Sequence, residues 1–274
     1  MKGQRYFAVD GDMHVREIKK IYDIASGCTQ PLQIVLDDGR DAVLKYPDNP
    51  QGIIVLFNEY FSYMLAKEIL LTTPLFGIAE VDSNTIIATS VGMLSKFEGV
   101  GFFAEYLPLT AKISSRIARH ISNLDETCKM LLLDAIVKNG DRSSSNVLVD
   151  IRNDSRKMFA IDYSHAFGDP EWTPTTLQIG DYDSPYVWRE NQDLYDMLHQ
   201  ANADISLPRL QTEASFIRTR INEDIVHKII STIPSQWAEA IGSTNILYAG
   251  EYVLSRVDSI DKICLMINKE RGIG

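Results

Sequence analysis

The sequence predicts an α+β fold in which a small β-rich first part is followed by a mostly helical second part. This prediction rests on two hairpin patterns and on apolar residues at helical spacing toward the C-terminus. The chain has 274 residues and 45% hydrophobic content, so it can bury a large core as one domain or as two lobes. Residues 131–167, which hold the second hairpin pattern, form the stretch around which the rest of the chain is organised.

Composition and charge exclude several classes of protein. The formal net charge of −10 argues against non-specific binding to nucleic acid or anionic membranes, although a local basic patch is compatible with it. Cys28, Cys128 and Cys264 form no CxxC pair, which argues against a disulfide framework or a zinc site. The first residues lack the apolar core of a signal peptide, and no run reaches the roughly 18 apolar residues of a membrane span. We therefore expect a soluble cytoplasmic protein.

A short amphipathic helix is predicted over residues 14–24. Apolar residues in this segment, among them Ile18 and Ile21, lie at the spacing of one helical face. We expect this helix only to pack against the rest of the molecule.

A small-residue loop leads into the first hairpin. The segment SGCTQP precedes two apolar runs, LQIVL and DAVLKYP, which are joined by Asp38 and Gly39. Asp-Gly between alternating apolar runs is a strong hairpin signal. Backbone N–H groups around the glycine of the preceding loop then offer a lid over phosphate groups. The candidate binding residues of this loop are Ser26, Gly27, Cys28 and Thr29.

Lys45 ends the second strand of this hairpin, and a helix with an early glutamate follows it. A solvated lysine at a strand end is the ordinary alternative for Lys45. Residues 54–70 place Phe57 and Phe61 on one apolar helical face, and Glu59 lies between them. We interpret Lys45 and Glu59 as a candidate ion pair.

A linker and a buried helix are predicted next. Residues 99–107 read as an apolar strand, and Glu105, Tyr106 and Leu107 at its end are expected to join the two parts of the chain. In a two-lobed nucleotide enzyme, such a linker offers backbone N–H and C=O groups to the edge of adenine. Residues 113–137 then turn helical, ending in an apolar run typical of a buried helix.

The second hairpin brings hard oxygen ligands together. Val147–Asp150 and residues 157–161 are apolar runs separated by a polar bend. If the bend is centred on Asp154, Asn146 and Asp162 lie equally far from it and meet at the open end of the ribbon. A carboxylate beside a carboxamide oxygen suits Mg²⁺, which takes its other ligands from water and phosphate.

Asp141 precedes this hairpin in the polar loop NGDRSSSN. It can face the same point as Asn146 and accept a proton from a substrate hydroxyl. The alternative is a chemically idle loop, because Asp and Asn are common turn residues. The order of Asp, four residues, Asn, a strand and a second Asp is similar to the catalytic and metal-binding segments of protein kinases. Here the second Asp lies in IDYS rather than DFG, and no HRD precedes the loop.

The ordered motifs in residues 25–167 resemble those of HipA-like kinases, and most closely their compact, single-chain branch. These motifs are SGCTQP, Lys45 in VLKY, Glu59 in NEY, Asp141 and Asn146 in NGDRSSSN, and Asp162 in IDYS. The pattern GDRxxxN followed by IDxS is also similar to phosphoinositide kinases.

The resemblance implies a two-lobed, protein-kinase-like fold with an N-lobe over residues 1–107 and a C-lobe over residues 108–274. It also implies ATP with Mg²⁺ as cofactors and transfer of the γ-phosphoryl group to a Ser or Thr hydroxyl of a protein. Asp141 would be the base, Asn146 and Asp162 the metal ligands, and Lys45 the phosphate anchor held by Glu59.

Several roles stay open at this stage. Arg142 could offset the charge of Asp141 or contact substrate. In HipA-like kinases a serine of the phosphate loop can be phosphorylated and inactivate the enzyme, and Ser26 and Thr29 are the candidates here. The larger members act beside a DNA-binding partner, but this chain has no room for their N-terminal subdomain, so that partner is not expected. No direct nucleic-acid or membrane contact is expected either, and any regulatory partner is undefined.

The remaining sequence predicts a connection and a helical bundle. The stretch 168–188 is either a substrate-facing loop or an ordinary surface connection, and apolar residues from 191 onward recur at helical spacing. His165 neighbours the predicted site. A lipid or small-molecule kinase and a nucleotide-binding pseudokinase are the alternative functions.

Overall fold

The computed structural model describes residues 15–82, 84–87, 99–152, 156–179 and 186–272. Within these ranges the fold is mixed α+β, with a β-rich N-terminal region and a mostly helical C-terminal part, which confirms the predicted fold class. Parts of three predicted segments lie outside the described residues: the start of the first helix, the bend at 153–155 and part of the 168–188 connection.

The N-terminal sheet closes on itself. The first strand in the chain pairs with the second as well as with its other neighbours, so five of the strands form a ring. Alternating apolar side chains, such as Ile34, Leu44 and Phe103, fill the interior of this ring. The strands are β1 (Arg16–Ile24), β2 (Leu32–Leu36), β3 (Asp41–Lys45), β4 (Phe76–Val81), β5 (Ile86–Ile87) and β6 (Gly99–Glu105). Their order in the sheet is β2-β3-β6-β4-β1-β5, and β1 also pairs with β2.

The first strand corrects the helix predicted over residues 14–24. Ile18 and Ile21 are both buried, but they are buried in a strand that pairs with β2. The register shifts between Ile18 and Lys20 and again between Ile21 and Asp23. A bulge inserts an extra residue and changes which side chains face inward. The spacing of three residues between the two isoleucines therefore comes from an irregular strand rather than from a helical turn.

Helix α1 (Ile54–Glu68) lies at the centre of the molecule. Its predicted position is confirmed, but the prediction of one apolar face is wrong, because every side chain from 55 to 66 is buried. The helix contacts β6 and also several C-terminal helices. Phe57 stacks on Phe61 with ring centroids 5.2 Å apart and on Phe167 at 5.8 Å. Glu59 is thus held inside the main core.

The C-terminal part combines helices with a small antiparallel sheet. The sheet contains β7 (Thr110–Lys112), β8 (Val147–Asp150) and β9 (Met158–Ala160) in that order. Strand β7 was not predicted, because Thr-Ala-Lys shows no apolar alternation. The helices are α2 (Ser115–Ala118), α3 (Thr127–Ile136), α4 (Tyr186–Gln200), α5 (Leu207–Arg220), α6 (Glu223–Ser231), α7 (Ser235–Ile241), α8 (Ser243–Asp258) and α9 (Ile260–Glu270). Across the described ranges, no helix combines the length and the apolar character needed to cross a membrane.

Candidate active site

A cavity of about 570 Å³ lies between the strand ring and the small sheet. This volume falls within the range typical of small-molecule sites. Most of the residues predicted from the sequence line it. They are Ser26, Gly27, Cys28, Thr29, Lys45, Glu59, Glu105, Tyr106, Leu107, Asp141 and Asp162. Asn146 is not part of the lining, but it bonds to Asp141 beside the cavity.

The small-residue loop forms a tight turn at the edge of the cavity. Ala25 N donates to Pro31 O at 2.7 Å, and Gln30 N donates to Gly27 O at 3.0 Å. Gly27 has a φ of +148°, a conformation that L side chains rarely adopt. Cys28 is exposed, whereas Thr29 is buried.

Lys45 points inward and contacts two carboxylates. Its Nζ forms an ion pair with Glu59 Oε1 and lies 2.9 Å from Asp162 Oδ1. Only 12% of the lysine side chain is exposed, so it is not a solvated lysine at a strand end. The other oxygen of Glu59 accepts a hydrogen bond from Tyr163 N at 3.0 Å. The helix glutamate therefore links the strand lysine to the segment that carries Asp162.

The electrostatics of this cluster leave an excess of negative charge. Burial raises the pKa of Glu59 to about 7, with Lys45 opposing the shift and Asp162 reinforcing it. Burial acts on Asp162 in the same direction, but Lys45 and the Ser164 hydroxyl, 2.6 Å away, hold its pKa well below the usual range. For Lys45, burial is outweighed by the two carboxylates, which raise its pKa. One ammonium is shared between two acids, an arrangement that favours an additional cation.

Asn146 fixes the position of Asp141. Its Nδ2 donates to the backbone carbonyl of Asp141 and, at 3.1 Å, to the Oδ2 of the same residue. Asp141 N donates to Asn139 Oδ1 at 3.3 Å, and Ser143 N donates to Asp141 O at 2.8 Å. Asp141 itself is exposed, so its carboxylate is accessible from the cavity.

The register of the second hairpin differs from the predicted one by one residue. Val147 pairs with Ala160, and Ile161 N donates to Asn146 O at 3.1 Å, so Asn146 lies opposite Ile161 rather than Asp162. Asp162 follows the paired segment with a φ of +60°. This left-handed turn, uncommon for a non-glycine residue, directs its carboxylate to Lys45.

Asn146 and Asp162 carry a carboxamide and a carboxylate oxygen, which are ligand types suited to Mg²⁺. A carboxylate and a carboxamide are hard ligands, and a magnesium site uses few of them because water and phosphate complete its shell. In the part of the chain that the structure describes, no three His, Cys, Asp or Glu side chains form a metal cluster. These two ligand types are compatible with a magnesium site whose other ligands are water or phosphate oxygens.

Arg142 takes neither of the roles left open by its position after Asp141. Its guanidinium is fully buried, so it does not contact substrate. It pairs with Asp134, with Nη2 at 3.0 Å from Oδ1, and lies over the ring of Tyr163 at 4.4 Å. Its Nη1 donates to the carbonyl of Asn146 at 2.9 Å and also to that of Ile161. Arg142 thus ties the loop of residues 140–146, the candidate catalytic loop, to the return strand, residues 158–161.

A buried polar network around Arg142 was missed by the sequence analysis. Asn191 Oδ1 accepts from Arg142 N at 2.8 Å, and Asn191 Nδ2 donates to Asn139 O at 2.8 Å. Asp134 accepts from Asn139 Nδ2 at 3.0 Å and from the Tyr195 hydroxyl. The available signal was Asp134, a charged residue inside the apolar run LLLDAIV. Asn191 carries no comparable signal, since it lies about fifty residues away on α4.

The apolar walls of the cavity were also missed. Val43, Ala104, Leu148 and Ile161 line it together with Phe102 and Thr110. In the sequence, these residues cannot be distinguished from other apolar residues of strands. His165 lies in the same lining, as its place next to the site suggested.

Comparison with known proteins identifies the family. The model of the HipA-like kinase family matches residues 15–259. The chain belongs to the HipA-like kinases. This membership and the kinase-like fold together identify the protein as a kinase. Among curated proteins, no significant match to this HipA-like kinase was found.

Solved structures share the fold of this HipA-like kinase at low sequence identity. The Golgi casein kinase with Mn/ADP bound matches with a TM-score of 0.55 and 13% identity, over 96% of this chain and 76% of that one. Fam20 of hydra, with sugar, matches with a TM-score of 0.54 and 12% identity, over 93% and 87% of the two chains. The Helicobacter pylori proinflammatory kinase CtkA matches with a TM-score of 0.51 and 10% identity, over 92% and 98%.

Proposed function

We propose that this HipA-like kinase transfers the γ-phosphoryl group of ATP, with Mg²⁺, to a Ser or Thr hydroxyl of a protein. The observation that carries the proposal is the single cavity in which Lys45, Glu59 and Asp162 form one charged cluster and Asp141 lines the wall. The Golgi casein kinase, whose structure holds Mn and ADP, supports a nucleotide and a divalent metal here.

The nucleotide base is assigned to the apolar end of the cavity. Val43, Leu148 and Ile161 provide its walls, and the linker borders it. Two linker amides are already engaged, because Glu105 N donates to Leu75 O at 2.7 Å and Tyr106 N donates to Asp41 O at 3.0 Å. We therefore assign the hydrogen bond to the adenine edge to the amide of Leu107.

The charged end of the cavity is assigned to the phosphates and the acceptor. Asp162 and Asn146 would hold Mg²⁺, which when bound neutralises charge on the phosphate oxygens. Lys45 would bind those oxygens, positioned by Glu59, while backbone N–H groups of the loop at Gly27 cover them. Asp141 would orient the acceptor hydroxyl and take its proton as the new P–O bond forms and the bond to ADP breaks. Catalysis here rests on positioning and charge neutralisation.

The two-lobed division remains part of this proposal. The ring of strands ends at Glu105 and the small sheet begins at Thr110, which supports an N-lobe over 1–107 and a C-lobe over 108–274. Helix α1 belongs to the first range, but its side chains pack in the main core, which is shared with the C-terminal helices.

An assay with radiolabelled ATP tests the proposal. Wild type is expected to label protein acceptors, and Asp141→Ala and Lys45→Met are each expected to lower the rate at least about 100-fold. Asp258→Ala, which removes an exposed carboxylate at the end of α8, is the matched control and should keep the wild-type rate. Labelling of lipids but not proteins would support the lipid-kinase alternative, and ATP binding without turnover would support a pseudokinase. Full activity of Asp141→Ala would contradict its role as base.

A further inference from the structure

A run of basic residues in this acidic protein begins with Lys112 at the end of strand β7, beside the loop of residues 140–146. We define the basic patch as Lys112, Arg116, Arg119, His120 and Arg156. Residues 106–124 contain the first four of these and no Asp or Glu, in a chain whose formal net charge is −10. Such a local reversal of sign attracts anionic groups.

Within the described residues, the arginines of the patch lack the carboxylate partners that most other surface arginines have. In the described part of the chain, Arg116, Arg119 and Arg156 take part in no ion pair, and the first two are exposed. The nearby Asp150, opposite Thr110, is already paired with Arg152. Other arginines at the surface do have carboxylate partners: Arg16, Arg40, Arg152, Arg189, Arg209 and Arg218. The positive charge of the patch is therefore available to a ligand.

Lys112 connects the patch to the site through two contacts. Lys112 Nζ donates to Ser145 Oγ at 3.4 Å, and Ser145 precedes Asn146 in the catalytic loop. Lys112 also pairs in register with Leu148, which lines the cavity. A chain that contacts Lys112 would therefore pass close to the loop that holds Asp141.

Strand β7 lies at the open edge of the small sheet and favours a polypeptide ligand. Leu109 O accepts from Ile151 N at 3.1 Å, and Ile113 N donates to Val147 O at 3.4 Å, so these residues bond toward β8. By the alternation of antiparallel pairing, the backbone groups of Thr110 and Lys112 face the open edge. Such an edge can pair with an extended peptide, which a membrane surface cannot do. Leu109, 67% exposed, adds an apolar contact at the same edge.

We propose that the basic patch and the edge of β7 bind an acidic, extended segment of the protein substrate, next to its acceptor Ser or Thr. This inference rests on the proposed protein-kinase function and adds the class of substrate. The arginines and Lys112 would pair with Asp or Glu side chains, while β7 would hold the backbone. Because the contacts are at the surface, salt should weaken them.

Peptide binding tests the inference without relying on activity. A fluorescent peptide with a central Ser and flanking Glu residues, and the same peptide with Gln for Glu, are titrated with the full-length protein by anisotropy. We expect wild type to bind the Glu peptide at least tenfold more tightly at low salt. Arg116→Glu/Arg119→Glu should abolish this preference, whereas Lys19→Glu/Lys228→Glu, which changes the charge equally at exposed positions outside the patch, should keep it. Equal binding of both peptides, or equal losses in both double variants, would overturn the inference.

Phosphoryl transfer to the same peptides separates this inference from the proposed function. With the Glu peptide, Arg116→Glu/Arg119→Glu should raise KM at least tenfold and leave kcat near the wild-type value. Transfer at equal KM to both peptides refutes the acidic preference and leaves the protein-kinase function standing. Patch-dependent binding without transfer to any protein or peptide supports the docking surface and refutes the proposed function. If vesicles with anionic lipid, or an RNA oligonucleotide, bind the patch more tightly than the Glu peptide, a different partner class replaces the one proposed.

Discussion

The buried pair of Asp134 and Arg142 makes a quantitative prediction about the catalytic loop. Asp134→Asn removes the carboxylate that faces the guanidinium while keeping the size of the side chain. Both side chains are fully buried, so the positive charge of Arg142 would be left without compensation. Removal of one partner from a buried ion pair typically costs about 3–5 kcal/mol. We expect the free energy of unfolding to fall by about 4 kcal/mol, and Tm to fall by roughly 10 °C for a chain of this size.

Denaturant titration and thermal melts measure this change, with Asp193→Asn as the control. Asp193 is exposed on α4, so its replacement should alter stability by less than about 0.5 kcal/mol. A second variant, Asp134→Leu/Arg142→Met, tests the positioning role separately. It should recover much of the stability, because an apolar replacement of a buried pair is often neutral.

The double variant should nevertheless lose most of its kinase activity below its Tm. It lacks the hydrogen bonds from Arg142 to the carbonyls of Asn146 and Ile161, which join the catalytic loop to the return strand. If the free energy of unfolding of Asp134→Asn lies within about 1 kcal/mol of the wild-type value, the claim that Asp134 compensates the buried charge of Arg142 is refuted. Full activity in a stable double variant would refute the positioning role of Arg142.

Three further predictions concern the nucleotide end of the site. Maleimide should label the exposed Cys28, and bound ATP should slow that labelling. The thiols of Cys128 and Cys264 should stay unreactive, because burial raises the pKa of each to about 12. Labelling of Cys28 that ATP does not slow would place the nucleotide elsewhere. If the loop of residues 26–29 is phosphorylated on incubation with ATP, mass spectrometry should find the phosphate on the exposed Ser26 rather than on the buried Thr29. An active enzyme with neither residue modified would refute phosphorylation of this loop. Gly101→Ala would set a Cβ 2.5 Å from the backbone oxygen of Lys45, so it should destabilise the protein by about 1–3 kcal/mol and raise KM for ATP, as melts and initial rates would show.

Part of the site could be predicted because its signals are local. Asp38 and Gly39 specify a hairpin by their turn conformation, and this places Lys45 at a strand end. The apolar run of residues 54–68 specifies a helix, and Glu59 follows from its position in it. The loop between Asp141 and Asn146 is likewise defined by a few adjacent residues.

Other features depend on contacts between distant parts of the chain. Residues 16–24 form a strand because β2 and β4 provide its hydrogen-bond partners, and its bulges produce an apolar spacing that a helix would share. Asn191 supports Arg142 from α4, and no pattern near either residue indicates that contact. The guanidinium of Arg142 points into the core because it pairs there with the buried carboxylate of Asp134.

The sequence by itself determined which chemical groups this kinase brings to its site: two acids, an amide and a lysine with its glutamate, in a fixed order along the chain. The tertiary structure decided how those groups meet. It turned Asp162 toward Lys45 through a left-handed backbone conformation and shifted the hairpin register by one residue. Among the described residues, it also left Arg116, Arg119 and Arg156 without carboxylate partners. The physical reason is that side-chain type follows from local sequence, whereas burial, register and charge pairing depend on neighbours that only the folded chain supplies.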